Sequence, residues 1–227
     1  MHIVIGNKLY SSWSMRPWLV LAAFDIPFTE TVVPLSQPDT STRIRQFSPS
    51  GKVPTLVDGD VTVWETLAII EYLAEKFPGR NIWPADAKAR AHARAVSNEM
   101  HAGFQALRQA CPMNLAKRFA RKDRGDAARA DVARVAQIWA EARSRFGAGC
   151  SFLYGAFSAA DAMYAPVVTR LDTYQIEVDA PTRAYMDAVL AHPAFVRWRT
   201  EALAEPWTIE KYEAGETAVE VFHQPAR

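Results

Sequence analysis

Cysteine is scarce in this chain. The 227 residues hold two, Cys111 and Cys150, with no CxxC pair and no Cys/His set at metal-ligand spacing. That excludes a disulfide scaffold, a metal site of that kind and dithiol chemistry, and reduced, buried thiols suit a cytoplasmic protein. Charge of one sign is missing too. Lys plus Arg number 26 and Asp plus Glu 25, a net charge of +1. Such a balance draws in neither nucleic acid nor an anionic membrane surface. The basic group Lys117, Arg118, Arg121, Lys122 and Arg124 lacks interleaved aromatics and reads as a solvated helix end or loop. No apolar run reaches the roughly 18 residues of a membrane span, and Met1 to Gly6 lacks the basic and apolar regions of a signal peptide. There is no GxSxG elbow for a serine triad. Internal repeats and low-complexity tracts are also absent.

What is present is ordinary globular composition, 49% hydrophobic and 22% charged, enough for one large core or two modest ones. His2 to Ile5 is a β-branched run closed by Gly6-Asn7. Met15 to Phe24 fits a buried helix, with Ser14 as N-cap and Pro17 inside the first turn. Thr29 to Pro34 reads as a strand and Thr42 to Phe47 as a short helix. Thr55 to Val57 and Val61 to Val63 flank Asp58-Gly59-Asp60, a hairpin signal. Leu67, Ile70, Leu73 and Phe77 recur at helical spacing until Pro78-Gly79. The order predicts β-α-β-α-β-β-α, with the first two strands parallel and the last two antiparallel.

Beyond a linker near residues 79–86 the pattern is helical. Val96, Met100, Phe104, Leu107 and Cys111 share one face, as do Val132, Val135, Trp139, Ala142 and Phe146. Ser158 with Asp161 three residues on reads as a capping-box variant, and Phe157 before it as a hydrophobic staple. The expectation is an α/β domain over residues 1–80 and an all-α domain over 88–215.

Three motifs carry chemistry. Ser11, Ser12, Trp13 and Ser14 lie between a strand end and a helix start. Hydroxyls there, beside free N–H groups, either stabilise an anion such as a thiolate or merely cap the helix. Val53-Pro54 precedes a strand. A cis bond would turn the Val53 backbone toward an extended peptide ligand; a trans proline would simply open an edge strand. Glu65 and Thr66 stand at a helix start. They can hold an ammonium and a carboxylate, or Thr66 can serve as an ordinary cap.

This order of motifs resembles the glutathione transferase superfamily, across nearly the whole chain. The resemblance rests on Ser50-Gly51-Lys52-Val53-Pro54-Thr55-Leu56, on Glu65 through Leu73, and on Phe157-Ser158-Ala159-Ala160-Asp161. It implies a thioredoxin-like N-terminal domain, a helical C-terminal domain, glutathione as co-substrate, a small electrophile as second substrate and a homodimer. Ser11-Ser12-Trp13-Ser14-Met15-Arg16 looks most like the serine motif of the zeta class, whose members include maleylacetoacetate isomerases. Ser11 would then hold the glutathione thiolate, with Ser12 its neighbour. Val53, before a cis Pro54, would pair with the cysteinyl backbone. Lys52 would reach the tripeptide, Glu65 and Thr66 would hold the γ-glutamyl head, and Gln105 would face the ligand from the first long helix of the second domain. Ser158 and Asp161 would be structural.

Two positions depart from the zeta pattern. Trp13 stands where that class has cysteine, and Thr173 where it has an arginine for its acidic substrate; Arg170 is nearby. The implied electrophile site is apolar, lined by Trp13, Phe104, Gln105 and Arg108. Lacking a cysteine at the turn, the chain is not expected to exchange thiols. The readings are a serine-type glutathione transferase, a glutathione-dependent isomerase using Arg170 as anchor, or a non-catalytic glutathione-binding protein.

Overall fold

The computed structural model describes residues 1–213 and 215–223. Strand β1 (His2–Ile5) leads through helix α1 (Ser12–Ala23) to strand β2 (Thr29–Val32), then helix α2 (Thr40–Arg45). Strands β3 (Thr55–Asp58) and β4 (Val61–Trp64) form the expected hairpin, with Gly59 at φ +63° supplying the positive dihedral of its turn. Helix α3 (Thr66–Lys76) completes the predicted β-α-β-α-β-β-α. The sheet order is β2-β1-β3-β4, parallel between β1 and β2 and antiparallel elsewhere. Ile3, Ile5 and Leu56 are fully buried and pack into the core shared with α1 and α3.

After a 3₁₀ turn at Pro78–Arg80 come helices α4 (Ala87–Ala102), α5 (Gln105–Ala110), α6 (Asp126–Phe146), α7 (Ala159–Thr173), α8 (Ala180–Ala191) and α9 (Pro193–Leu203). The helical part also holds a two-stranded antiparallel ribbon, β5 (Lys117–Phe119) with β6 (Ala218–Val221). The second domain is helical as expected, and the ribbon is an addition to it whose second strand lies past residue 215. Its strands lie about a hundred residues apart, and neither has a helix or strand period.

Helix α7 is the axis of the molecule, buried along almost its whole length. Its alanines let α1 and α4 approach closely. Asp161 starts it. Its Oδ2 accepts the Ser158 N–H and the Ser158 hydroxyl, both at 2.9 Å, and its Oδ1 accepts the Leu153 N–H at 3.1 Å. Phe157 stacks on His192 at 4.1 Å. Cys111 is buried, its thiol pushed up to about 11 by burial, while Cys150 is exposed, contrary to the expectation of two buried thiols.

Helix α1 begins earlier than expected. Ser11, not Ser14, is the N-cap, its Oγ accepting the Ser14 N–H at 3.4 Å. Ser14 lies inside the first turn, where its Oγ takes the Gly6 N–H at 3.0 Å and so ties the helix to the end of β1. Pro17 therefore falls beyond the first turn, and the Trp13 carbonyl loses the N–H it would otherwise accept. Thr66 supplies the replacement: its hydroxyl donates to the Trp13 carbonyl at 3.1 Å.

Candidate functional site

The turn from Asn7 to Ser12 hangs between β1 and α1, and the C-terminal part of the chain holds it in place. Glu205, just past α9, accepts the Lys8 N–H at 2.7 Å and the Leu9 N–H at 3.4 Å. The Trp198 indole N–H donates to the Lys8 carbonyl at 3.1 Å. The Tyr10 hydroxyl donates to Glu213 at 2.7 Å. The Lys8 ammonium pairs with Glu30 and Glu201 over the faces of Trp18 and Trp198.

Burial outweighs these donors at Glu205 and pushes its carboxyl up to about 7, from an ordinary 4.5. A carboxyl raised on folding binds more protons folded than unfolded between those values. Its contribution to stability is therefore full below the unfolded value and is lost as pH rises through the folded one. Glu205→Gln is expected to lessen the fall in Tm between about pH 5 and 8, read by thermal melts across that range. An unchanged slope would assign it to other groups.

Beside this turn lies a cleft of about 190 Å³, lined by Trp13, Ser50, Lys52, Val53, Pro54, Glu65, Thr66 and His101. Six of these eight were picked out from the sequence, in three separate motifs, and the fold brings them to one wall. The Val53-Pro54 bond is cis. Strand β3 starts at Thr55, and among the described residues nothing takes up the Val53 N–H or carbonyl. Glu65 stands at φ +71°, ψ +131°, a region costly for a side-chain-bearing residue, and makes no cap for α3. The first N–H groups of α3 thus remain open beside the buried Thr66 and the exposed Glu65 carboxylate. Lys52 is exposed at the rim.

Ser50, named above only as part of a motif, and His101 were not among the expected site residues. His101 ends α4, and its ring lies 5.0 Å from that of Trp13. Burial lowers its pKa, Glu65 opposes that shift, and Arg16 and Arg108 add to it. The imidazole is therefore neutral at neutral pH, and its buried Nδ1 has no partner among the described residues. No local pattern marks His101, because it lies off the apolar stripe of its helix.

The two serines lie just behind Trp13, both 8% exposed and not on the cleft wall itself. They differ in bonding. The Ser11 hydroxyl donates to Ser14 Oγ at 2.8 Å. Ser12 Oγ accepts from Arg170 Nη2 at 3.4 Å, and among the described residues nothing takes its proton. The Trp13 ring carries two guanidinium groups over it, Arg16 at 4.5 Å and Arg108 at 4.6 Å. Phe104 is buried at φ +60° between α4 and α5.

Gln105 does not join the cleft. A side-chain carbon at Gly103 would lie 2.9 Å from the Glu99 carbonyl, and the backbone turns left-handed at Phe104. Helix α4 therefore ends at Ala102, and Gln105 opens α5 on the surface. A larger hollow, about 630 Å³, lies between the start of α6 and the segment before α8. Its cations Arg121, Lys122, Arg124 and Arg129 are all paired with acids, so it lacks polar groups free to converge on a ligand.

A parallel–antiparallel sheet flanked by helices, with a cis-proline, an open backbone edge and an open helix start on one side, defines a thioredoxin-like domain. Residues 10–76 match the family model "Glutathione S-transferase, N-terminal domain". The chain thus carries, over residues 10–76, a domain similar to the N-terminal domain of glutathione S-transferases, within a fold that solved glutathione transferases share. A "probable maleylacetoacetate isomerase" from Caenorhabditis elegans is 39% identical over 104 residues, covering 44% of this chain and 48% of that protein. A glutathione transferase homologue from Burkholderia, solved with bound glutathione, superposes with a TM-score of 0.68 at 21% identity, covering 88% of this chain and 97% of that one. A bacterial zeta-class maleyl pyruvate isomerase in its holo form superposes at 0.66 and 20% identity, covering 92% and 100%. The chain spans about half the length, or less, of the curated relatives it matches. No described helix is long and apolar enough to cross a membrane.

Proposed function

We propose that the protein binds glutathione in this cleft and activates its thiol for attack on a small electrophile. The observation that carries the reading is the unpaired Val53 backbone facing the same cleft as Glu65, Thr66 and the open start of α3. A γ-glutamyl head carries both an ammonium and a carboxylate. Glu65 suits the first, and the Thr66 N–H with the next N–H groups of the helix start suits the second, the Thr66 hydroxyl being donated to the Trp13 carbonyl. Val53 would pair with the cysteinyl backbone, leading the sulfur toward Ser11 and Ser12. Lys52 suits the remaining carboxylate.

A free thiol of pKa about 8.5 is only a few per cent ionised at neutral pH. Lowering that value by roughly two units requires about 2.7 kcal/mol of preferential stabilisation of the thiolate. A hydroxyl and helix-end donors lie within that range. The test is the ultraviolet absorbance of bound thiolate against pH in Ser11→Ala and Ser12→Ala. At least one replacement is expected to raise the apparent thiol pKa by a unit or more. If both leave it unchanged, the serine turn is not the activating group.

The arginines around Trp13 and Ser12 favour a second reading, glutathione-dependent isomerisation of a dicarboxylate, as in the relative's name. Turnover of a cis-dicarboxylate but of no neutral electrophile would select it. Binding of glutathione without turnover of either would leave a non-catalytic binding protein. A cytoplasmic homodimer accompanies the proposal, with light scattering as its check.

A further inference from the structure

Three arginines converge behind the serine turn. Arg16 is 1% exposed and Arg170 is 6% exposed; Arg108 is half-buried. All three donate to backbone carbonyls. Arg16 bonds Met163 at 2.9 Å and Ser12 at 2.8 Å, Arg170 bonds Pro166 at 2.9 Å, and Arg108 bonds Met100 and, at 3.1 Å, His101. Among the described residues none of the three forms an ion pair. The buried Nε atoms of Arg108 and Arg170 have no hydrogen-bond partner among the described residues.

Among the described residues, the groups that face these arginines form no ion pair with them. Cys111, Tyr174 and Tyr212 face Arg170, and burial pushes the first two upward, away from ionisation. Tyr164 faces Arg16, and it too is held protonated by burial. Asp131 offsets Arg108 in part, from a distance: its Oδ2 accepts the Leu107 N–H at 2.9 Å and it forms no ion pair with the guanidinium. His101 at the cleft is kept neutral, in part by Arg16 and Arg108 themselves. Burial and mutual repulsion lower the pKa of both Arg16 and Arg170. A buried, repelling set of cations is costly, and folded proteins normally pair such charges. An anion bound beside the serine turn would offset that charge.

We infer that this cluster, with Arg170 foremost, sets the acidity of the bound thiol by polarising Ser12. The inference rests on the glutathione reading above. Arg170 donates to Ser12 Oγ, so Ser12 acts as acceptor toward the protein and keeps its own proton for the sulfur. The thiol proton leaves to solvent, the arginine keeps its own, and the thiolate supplies the absent charge. Arg170 is thus a positioning residue acting through Ser12, with Arg16 and Arg108 adding to the local field.

The experiment titrates glutathione bound to the full-length protein, following thiolate absorbance, with affinity measured by calorimetry. Arg170→Met is expected to raise the thiol pKa by at least one unit, so that thiolate at neutral pH falls about threefold or more. Arg170→Lys, which keeps the charge, is expected to restore most of the loss. An unchanged titration in Arg170→Met overturns the inference. So does a variant with unchanged titration that loses affinity for a carboxylate-bearing electrophile but not for a neutral one, because the anion would then belong to the second substrate. If Arg170→Met does not fold, Arg108→Met gives the same readout from a less buried site: a rise supports the inference and no change overturns it. Wild-type protein that binds no glutathione overturns the functional reading itself, an outcome the calorimetry separates from the others.

Discussion

Replacing Asp161 with alanine is expected to cost about 3–5 kcal/mol of stability and to lower Tm by roughly 10–15 °C. The carboxylate is fully buried and accepts three hydrogen bonds, from the Ser158 N–H, the Ser158 hydroxyl and the Leu153 N–H. Alanine leaves all three donors without a partner where water does not reach, at about 1–3 kcal/mol each, less any relaxation. The bonds also fix where the chain enters α7, and α7 packs against both α1 and α4, so the loss is not local. Asp161→Asn keeps one acceptor and the shape, and is expected to cost less than half as much. Burial pushes the Asp161 carboxyl up to about 6, from 3.8. Like Glu205, it therefore favours the folded state most at low pH and loses that contribution as pH rises toward 6. Thermal melts of both variants across pH 4–8 check the magnitude and the sign. A Tm within about 3 °C of wild type for Asp161→Ala would remove the residue from its structural role.

Glu65→Gly is expected to move stability and binding in opposite directions. Glu65 holds a positive φ with ψ near the extended region, which costs of order 1–3 kcal/mol for a residue with a Cβ and much less for glycine. Its side chain caps nothing and is exposed, so its removal takes away no internal bond. Glycine should relieve the strain and raise stability by about 1 kcal/mol, the remainder being offset by greater freedom in the unfolded chain. Under the proposed function it also removes the acceptor for the γ-glutamyl ammonium. A charge-assisted hydrogen bond contributes about 1.5–3 kcal/mol, so glutathione affinity should fall roughly 10- to 100-fold. Denaturant unfolding and calorimetry read the two effects separately. A variant that is more stable and binds glutathione as well as wild type would assign the head group elsewhere.

The N-terminal half was legible in the sequence because its signals are local. The Asp58-Gly59 turn, the proline before β3 and the periodicity of α3 each act within a few residues, and the structure carries all three. The site motifs were legible for the same reason, since each sits at the junction of a strand and a helix. Their convergence on one cleft follows from the sheet order, which places the β1–α1 turn, the start of β3 and the start of α3 on the same side.

What failed was decided at a distance. Ser11 and Ser14 are both acceptable caps by local chemistry. The choice fell to Ser11 because the Gly6 N–H takes Ser14 Oγ. The apolar spacing from Val96 to Cys111 hides the break at Gly103, because α4 and α5 keep the same face inward on either side of it. The ribbon β5–β6 joins residues roughly a hundred positions apart.

By itself, then, the sequence determined the order of elements, the hairpin and the positions of the three motifs at element junctions, because dihedral preference and burial period act over neighbouring residues. The tertiary structure alone decided which serine caps α1 and which keeps a free proton. It also placed His101 against Trp13, set Gln105 away from the cleft wall, and set three arginines behind Ser12 with no ion pair among the described residues. Those outcomes depend on hydrogen-bond partners and buried charges brought together from distant parts of the chain, and no spacing along the sequence encodes them.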